Sequence, residues 1–189
     1  MKIIDNLISI SKYTRPGIKL KKVKALVIHW TGRSDVDYKH WYNYYEERTK
    51  GKLGYGSAHL FVEKDNVYKF IPLDEVAWHV GSKTYTCYAI KKFDINRDNK
   101  LEWFEVPNHY TIGIELRPEN NWSGEFSDTI FENSVKLVAM LCKKYNLNPF
   151  LDITTHSAIT GKDCPLWFVK HPEDFQGFKE KVEKYKNKL

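Results

Sequence analysis

Two histidines and a cysteine carry the chemical content of this chain: His29, His156 and Cys164, with Lys162 two residues before the thiol. Zinc takes nitrogen and sulfur ligands in tetrahedral geometry, and a zinc site that does chemistry supplies three protein ligands and leaves the fourth position to water. Two neutral imidazoles and one thiolate meet that count. A thiol near such an ion loses its proton, leaving an electrophilic centre of about +1. Taken singly, a histidine at a strand end reads as readily as a hydrogen-bonded structural residue. The eight steps from His156 to Cys164 could extend roughly 26 Å, so both reach one ion only if the chain folds back. Gly161 permits that turn, and Pro165 biases Cys164 toward an extended conformation.

The elements that must position these residues follow from patterning. Val23 to Ile28 is short, apolar and partly β-branched, which predicts a buried central strand with His29 at its carboxyl end, where α/β sheets place their sites. Tyr38 to Arg48 reads as a helix, and Gly51, Gly54 and Gly56 mark a loop. The runs Ala58–Glu63 and Val67–Ile71 flank Lys64-Asp65-Asn66 as a hairpin. Thr111–Leu116 is another strand. Phe131, Val135, Val138, Leu141 and Cys142 recur at helical spacing within Asp128–Tyr145, with Ser127 as the cap and Asn146 and Pro149 as the stop. Asp152–Thr155 is a short strand ending at His156, and Glu173–Lys188 a charged terminal helix.

With 189 residues, 42% of them hydrophobic, the chain is expected to form one domain with one core. The formal charge of +6 favours anionic partners: nucleic acid, an acidic membrane or a wall carrying phosphate polymers. The lysines are scattered and no nucleic-acid motif occurs, so neither nucleic acid nor membrane is expected as a partner, and a monomer is expected. The first residues contain no apolar stretch that would make a signal peptide or a membrane span, which predicts a protein made in the cytoplasm. Three cysteines argue against a disulfide framework, and Cys142 falls on the core face of its helix.

Five segments in order resemble the zinc-dependent N-acetylmuramoyl-L-alanine amidases, the family that includes phage endolysins and peptidoglycan recognition proteins. They are Val27-Ile28-His29-Trp30-Thr31; Ser57 to Val62; Ile71-Pro72-Leu73 with Ala77-Trp78-His79-Val80-Gly81; Thr111 to Leu116; and Thr155-His156 through Gly161-Lys162-Asp163-Cys164-Pro165. The resemblance implies an α/β fold, a central mixed sheet flanked by helices. It implies His29, His156 and Cys164 as zinc ligands, Glu115 as general base, Lys162 as a cation beside the developing oxyanion, and Trp78 and His79 as lining for the substrate groove. One branch of the family carries a catalytic tyrosine just before the position of His59. This chain has Ala58 there, so the role falls elsewhere, with Glu115 the best candidate. The implied reaction is cleavage of peptidoglycan between N-acetylmuramic acid and L-alanine by an endolysin or autolysin acting at the wall after release. The alternative is a recognition module that binds muropeptide without cutting it; such relatives typically lack the thiol, which Cys164 supplies here.

A second metal motif is separate from that resemblance. Asp94, Asn96 and Asp98, the backbone of Lys100, and Glu105 stand at positions one, three, five, seven and twelve of an EF-hand-like calcium loop. Asn99 replaces the usual glycine and no exit helix follows, so the competing expectation is a plain polar insertion over residues 90–108.

Overall fold

The computed structural model describes residues 1–96 and 106–189. Six strands, β1 (Ile3–Asp5), β2 (Ala25–Trp30), β3 (Leu60–Val62), β4 (Val67–Lys69), β5 (Thr111–Leu116) and β6 (Ile153–Thr155), form one sheet in the order β1-β4-β3-β5-β2-β6. The β3–β4 hairpin is antiparallel and the other pairings are parallel, so the sheet is mixed, as expected. The helices are α1 (Tyr38–Arg48), α2 (Cys87–Phe93), α3 (Asp128–Tyr145), α4 (Pro149–Asp152), α5 (His156–Thr160), α6 (Leu166–Lys170) and α7 (Pro172–Lys186).

Strands β2 and β5 lie at the centre with helices on both faces, which is why they read as apolar runs. Successive side chains nevertheless alternate between those faces. Leu26, Ile28, Ile112, Ile114 and Leu116 point to one side, joined by Leu60 and Val62. They pack against Val135, Val138, Leu141 and Cys142 of α3 and Phe178 and Val182 of α7. Each such buried side chain stabilises the fold by about 2 kcal/mol, so this layer holds the sheet together. On the opposite face Ala25 and Val27 pack under α2 and α5 through Ala89, Phe93 and Ile159. Farther across that face, Phe61 and Phe70 meet Tyr45 of α1. Between these two apolar clusters the same face carries His29 from β2 and Thr111, Gly113 and Glu115 from β5.

Capping agrees with the sequence. Ser127 accepts from the Ile130 amide at the start of α3, and Asn146 ends the helix at φ 53°, a left-handed conformation that asparagine tolerates. Asp37 caps α1 through the amides of Lys39 and His40. Strand β2 runs two residues farther than the apolar pattern implied, placing His29 inside the strand. The pattern does not foretell strand β1 or helices α2, α4, α5 and α6, since elements of three to seven residues are too short to show a period, and Asp152, expected to open a strand, closes α4 instead. Among the described residues no helix is long and apolar enough to cross a membrane.

Of the expected calcium loop, Asp94 and Asn96 are exposed just after α2, with Asp94 in the left-handed conformation. Asp98, Lys100 and Glu105 lie outside the described residues.

Candidate active site

Strand register assembles the site. His29 on β2 stands beside Glu115 on β5, and Ile28 beside Thr155 on β6. His156 follows Thr155 directly as the first residue of α5, whose start Thr155 caps by accepting from the Ala158 amide. Gly161 ends this short helix at φ 83°, and the Ser157 amide donates to the Cys164 carbonyl at 2.9 Å. That contact folds the chain back, the turn the sequence required.

The three candidate ligands therefore converge. His29 Nδ1 lies 3.1 Å from His156 Nδ1 and 3.7 Å from Cys164 Sγ, and one ligand atom from each residue falls within 4.8 Å of the others. The group can hold a metal ion. Burial pushes His29 well below the usual histidine range, with His156 and His79 adding to the effect. Burial and then Lys162 bring His156 down to about 4. Both rings are thus neutral near pH 7 and offer lone pairs. Burial, reinforced by Glu115, pushes the Cys164 thiol up to about 12, so it ionises readily only when a cation joins it. A buried thiol facing two neutral imidazoles is the chemistry of an ion site rather than of a free nucleophile.

Glu115 lines the same cavity, of about 180 Å³. Its Oε2 is buried without a hydrogen-bond partner, and burial raises the carboxyl to about 8 against the opposing charge of Lys162. This carboxyl can take up and release a proton near neutral pH. Lys162, exposed on the loop after α5, also lines the cavity.

Tyr45 and Arg48 of α1 form part of the cavity wall. Arg48 Nη1 donates to the carbonyls of Leu53, Gly54 and Tyr55 and so gathers the glycine-rich loop beside the site. Trp78 lines this cavity and an adjoining one of about 490 Å³ that extends past Ser82 and Lys83. Its indole Nε1 donates to the Lys12 carbonyl at 2.8 Å.

His79 also borders both cavities, but its ring is buried, 7% exposed, and both nitrogens are engaged. Nδ1 sits 3.0 Å from His29 Nε2, and Nε2 sits 3.1 Å from Thr111 Oγ1. Asn108 holds the main chain of this segment by accepting from the His79 and Val80 amides. His59, in the second resembling segment, is a fully buried structural residue: its Nδ1 accepts from the Gly113 amide and its Nε2 donates to the Glu75 carbonyl. Thr111, Asn108, Tyr45 and Arg48 were not singled out from the sequence. Thr111 was detectable there, because it lies four residues before Glu115 on one strand and so shares its face. Asn108 left no signal.

Comparison with known proteins agrees with this geometry. Residues 19–167 match the family described as N-acetylmuramoyl-L-alanine amidase. The chain is 31% identical, over 97% of its length and 48% of the relative's, to a probable N-acetylmuramoyl-L-alanine amidase of Bacillus licheniformis. It is 32% identical, over 95% of its length and 46% of the relative's, to the N-acetylmuramoyl-L-alanine amidase BlyA of Bacillus subtilis (strain 168). The chain spans about half the length of these relatives. Among solved structures, PlyL aligns with a TM-score of 0.70 at 22% identity, covering 96% of this chain and 97% of that one. The catalytic domain of XlyA aligns with a TM-score of 0.66 at 21% identity, covering 96% and 99%. These two share the fold. A match over most of the chain, with the site residues at the ends of its central strands, identifies the protein as a member of the N-acetylmuramoyl-L-alanine amidase family.

Proposed function

We propose that this chain hydrolyses the amide bond between N-acetylmuramic acid and L-alanine in bacterial peptidoglycan, using zinc held by His29, His156 and Cys164. The observation that carries the reading is the convergence of His29 Nδ1, His156 Nδ1 and Cys164 Sγ in one cavity with Glu115, whose Oε2 has no hydrogen-bond partner. Tetrahedral zinc with ordinary bond lengths separates two nitrogens by roughly 3.3 Å and a nitrogen from a sulfur by roughly 3.6 Å. The observed 3.1 and 3.7 Å match two of these edges, and the three ligand atoms all lie within 4.8 Å of one another, so closing on the ion draws the third edge in.

When bound, zinc supplies Lewis acidity that polarises the scissile carbonyl and acidifies water. Glu115 does the proton work. Its Oε2 removes a proton from the attacking water as the new C–O bond forms, then returns that proton to the departing nitrogen as the C–N bond breaks. The products are a carboxylate on the muramic lactyl group and a free α-amino group on L-alanine. Lys162 places a positive charge where the carbonyl oxygen gains negative charge, a contribution of roughly 3 kcal/mol if it equals one oxyanion donor. The cavity beyond Trp78 extends the groove and offers an apolar wall and the Lys83 cation to the stem peptide.

The reading makes the protein a bacteriolytic, wall-degrading enzyme of endolysin or autolysin type. The deciding experiment is digestion of purified peptidoglycan with end-group analysis. New alanine amino groups are expected; new reducing sugar ends, or no new ends at all, would overturn the proposal.

A further inference from the structure

We propose that Thr111 and His79 form a hydrogen-bond relay that selects the tautomer of His29, leaving its Nδ1 lone pair bare toward His156 and Cys164. Both are then positioning residues for metal ligation, and His79 supports a ligand rather than contacting substrate. This inference rests on the metal-ligand reading of His29 and deepens it.

The available protons fix each donor and acceptor along one line of hydrogen bonds. The Thr111 hydroxyl has a single hydrogen, and it is donated to the Pro107 carbonyl at 2.7 Å, an acceptor that cannot reciprocate. Thr111 Oγ1 can therefore only accept from His79 Nε2, which stands 3.1 Å away. His79 must carry its proton on Nε2, and because a neutral imidazole has only one, Nδ1 keeps a lone pair. That lone pair faces His29 Nε2 at 3.0 Å, so His29 must donate from Nε2. Its remaining nitrogen, Nδ1, is left without a proton, and this is the atom 3.1 Å from His156 Nδ1 and 3.7 Å from Cys164 Sγ. A carbonyl at one end of the relay fixes a free lone pair at the other.

The surroundings close off the alternatives. The His79 backbone is pinned by Asn108, itself fully buried. The His79 ring packs against Gly113, where a Cβ would stand 2.6 Å from His79 Cγ, so the absence of a side chain on β5 makes room for the relay. His59 is nearby, but both of its nitrogens are committed elsewhere and cannot exchange a proton with His79. A ligating histidine held through its second nitrogen keeps its orientation and basicity, and losing such support lowers metal affinity by about 10- to 100-fold.

The test reads protons and zinc rather than turnover. In the zinc-loaded protein with 15N-labelled histidine, NMR should show His79 protonated on Nε2 and His29 protonated on Nε2 with Nδ1 bound to metal. His79 protonated on Nδ1, or His29 bound through Nε2, would overturn the relay. Zinc titration against a competing chelator supplies the second arm. Thr111→Val should weaken zinc binding about 10- to 100-fold, and Thr111→Ser, which keeps the hydroxyl, should restore it. Unchanged affinity in Thr111→Val overturns the relay. Should Thr111→Val not fold, the spectrum of the unaltered protein still decides. Correct tautomers in a protein that does not cut peptidoglycan would sink the amidase proposal alone, and the opposite tautomers in an active amidase would sink the relay alone.

Discussion

His29 and Glu115 are register partners on adjacent parallel strands, on one face of the sheet and at one end of it. The pairing puts a candidate ligand and a candidate base side by side on two interior strands of the sheet. Backbone hydrogen bonds between β2 and β5 set their spacing, and the apolar layer against α3 and α7 holds both strands from behind. A base built this way needs no loop closure to reach its working position.

Glu115→Gln keeps the shape of the side chain and removes its capacity to take a proton. It should bind zinc at one equivalent, fold normally and lose about 100- to 10,000-fold in peptidoglycan cleavage. Parent-like turnover in this variant assigns the base elsewhere.

Zinc binding should release protons in a pattern set by burial. Both histidines are already neutral above pH 7, so they release none. Cys164, raised to about 12, must give up one. Glu115, raised to about 8, gives up a second while it is still protonated, so the count should fall toward one as pH passes 8. Calorimetry in buffers of different ionisation enthalpy measures the number. A release of zero protons between pH 7 and 9 contradicts a thiolate ligand.

In the metal-free protein the Glu115 contribution to stability should fall between pH 6.5 and 8. Glu115 has a folded pKa near 8 against 4.5 for the free side chain, so in that window the unfolded chain has shed a proton that the folded chain retains. That contribution then falls as pH rises, by about 2 kcal/mol over this window. The buried His29, His59, His79 and His156 act in the opposite sense over the lower part of this window, where their unfolded rings, with an ordinary value of 6.5, are still partly charged and the buried ones are not, and so offset much of the Glu115 effect in the whole protein. Urea unfolding of the metal-free parent and of Glu115→Gln at the two pH values isolates the carboxyl: the parent should lose about 2 kcal/mol relative to the variant, and an equal pH response in the two would refute it.

Lys162→Met removes a charge from an exposed loop position and leaves the ligands untouched. Cleavage should fall by about 100- to 1,000-fold with zinc stoichiometry unchanged. A loss of zinc instead of turnover would show that Lys162 shapes the metal centre rather than the oxyanion.

Gly113→Ala should cost about 1–3 kcal/mol in thermal unfolding, because the new Cβ enters the His79 ring and must displace it. Gly177→Ala, with open space around it, is the control and should leave the melt unchanged or slightly raised.

The sequence by itself determined the residue types of the site and the long elements around it. Two imidazoles, a thiol and a carboxylate within an apolar strand stood out because their chemistry is rare in such settings, whereas Lys162, one of many lysines, was singled out only by the resemblance to the amidase family. Asp128–Tyr145 was legible because eighteen residues show a helical period and carry their own cap. Gly161 signalled the turn that folds Cys164 back to His156. What the tertiary structure decided is which face each residue takes and what lies behind it. The alternation Thr111, Gly113, Glu115 stands in the sequence, yet only the pairing of β5 with β2 turns it into one wall shared with His29. Strand β1 and helices α2, α5 and α6 are too short to announce themselves and form because the sheet gives them surfaces to cover. His79 reads in sequence as one aromatic of a groove. Its bond to His29 spans fifty residues, its bond to Thr111 thirty-two, and contacts of that range arise only when strands and loops distant in the chain are packed together.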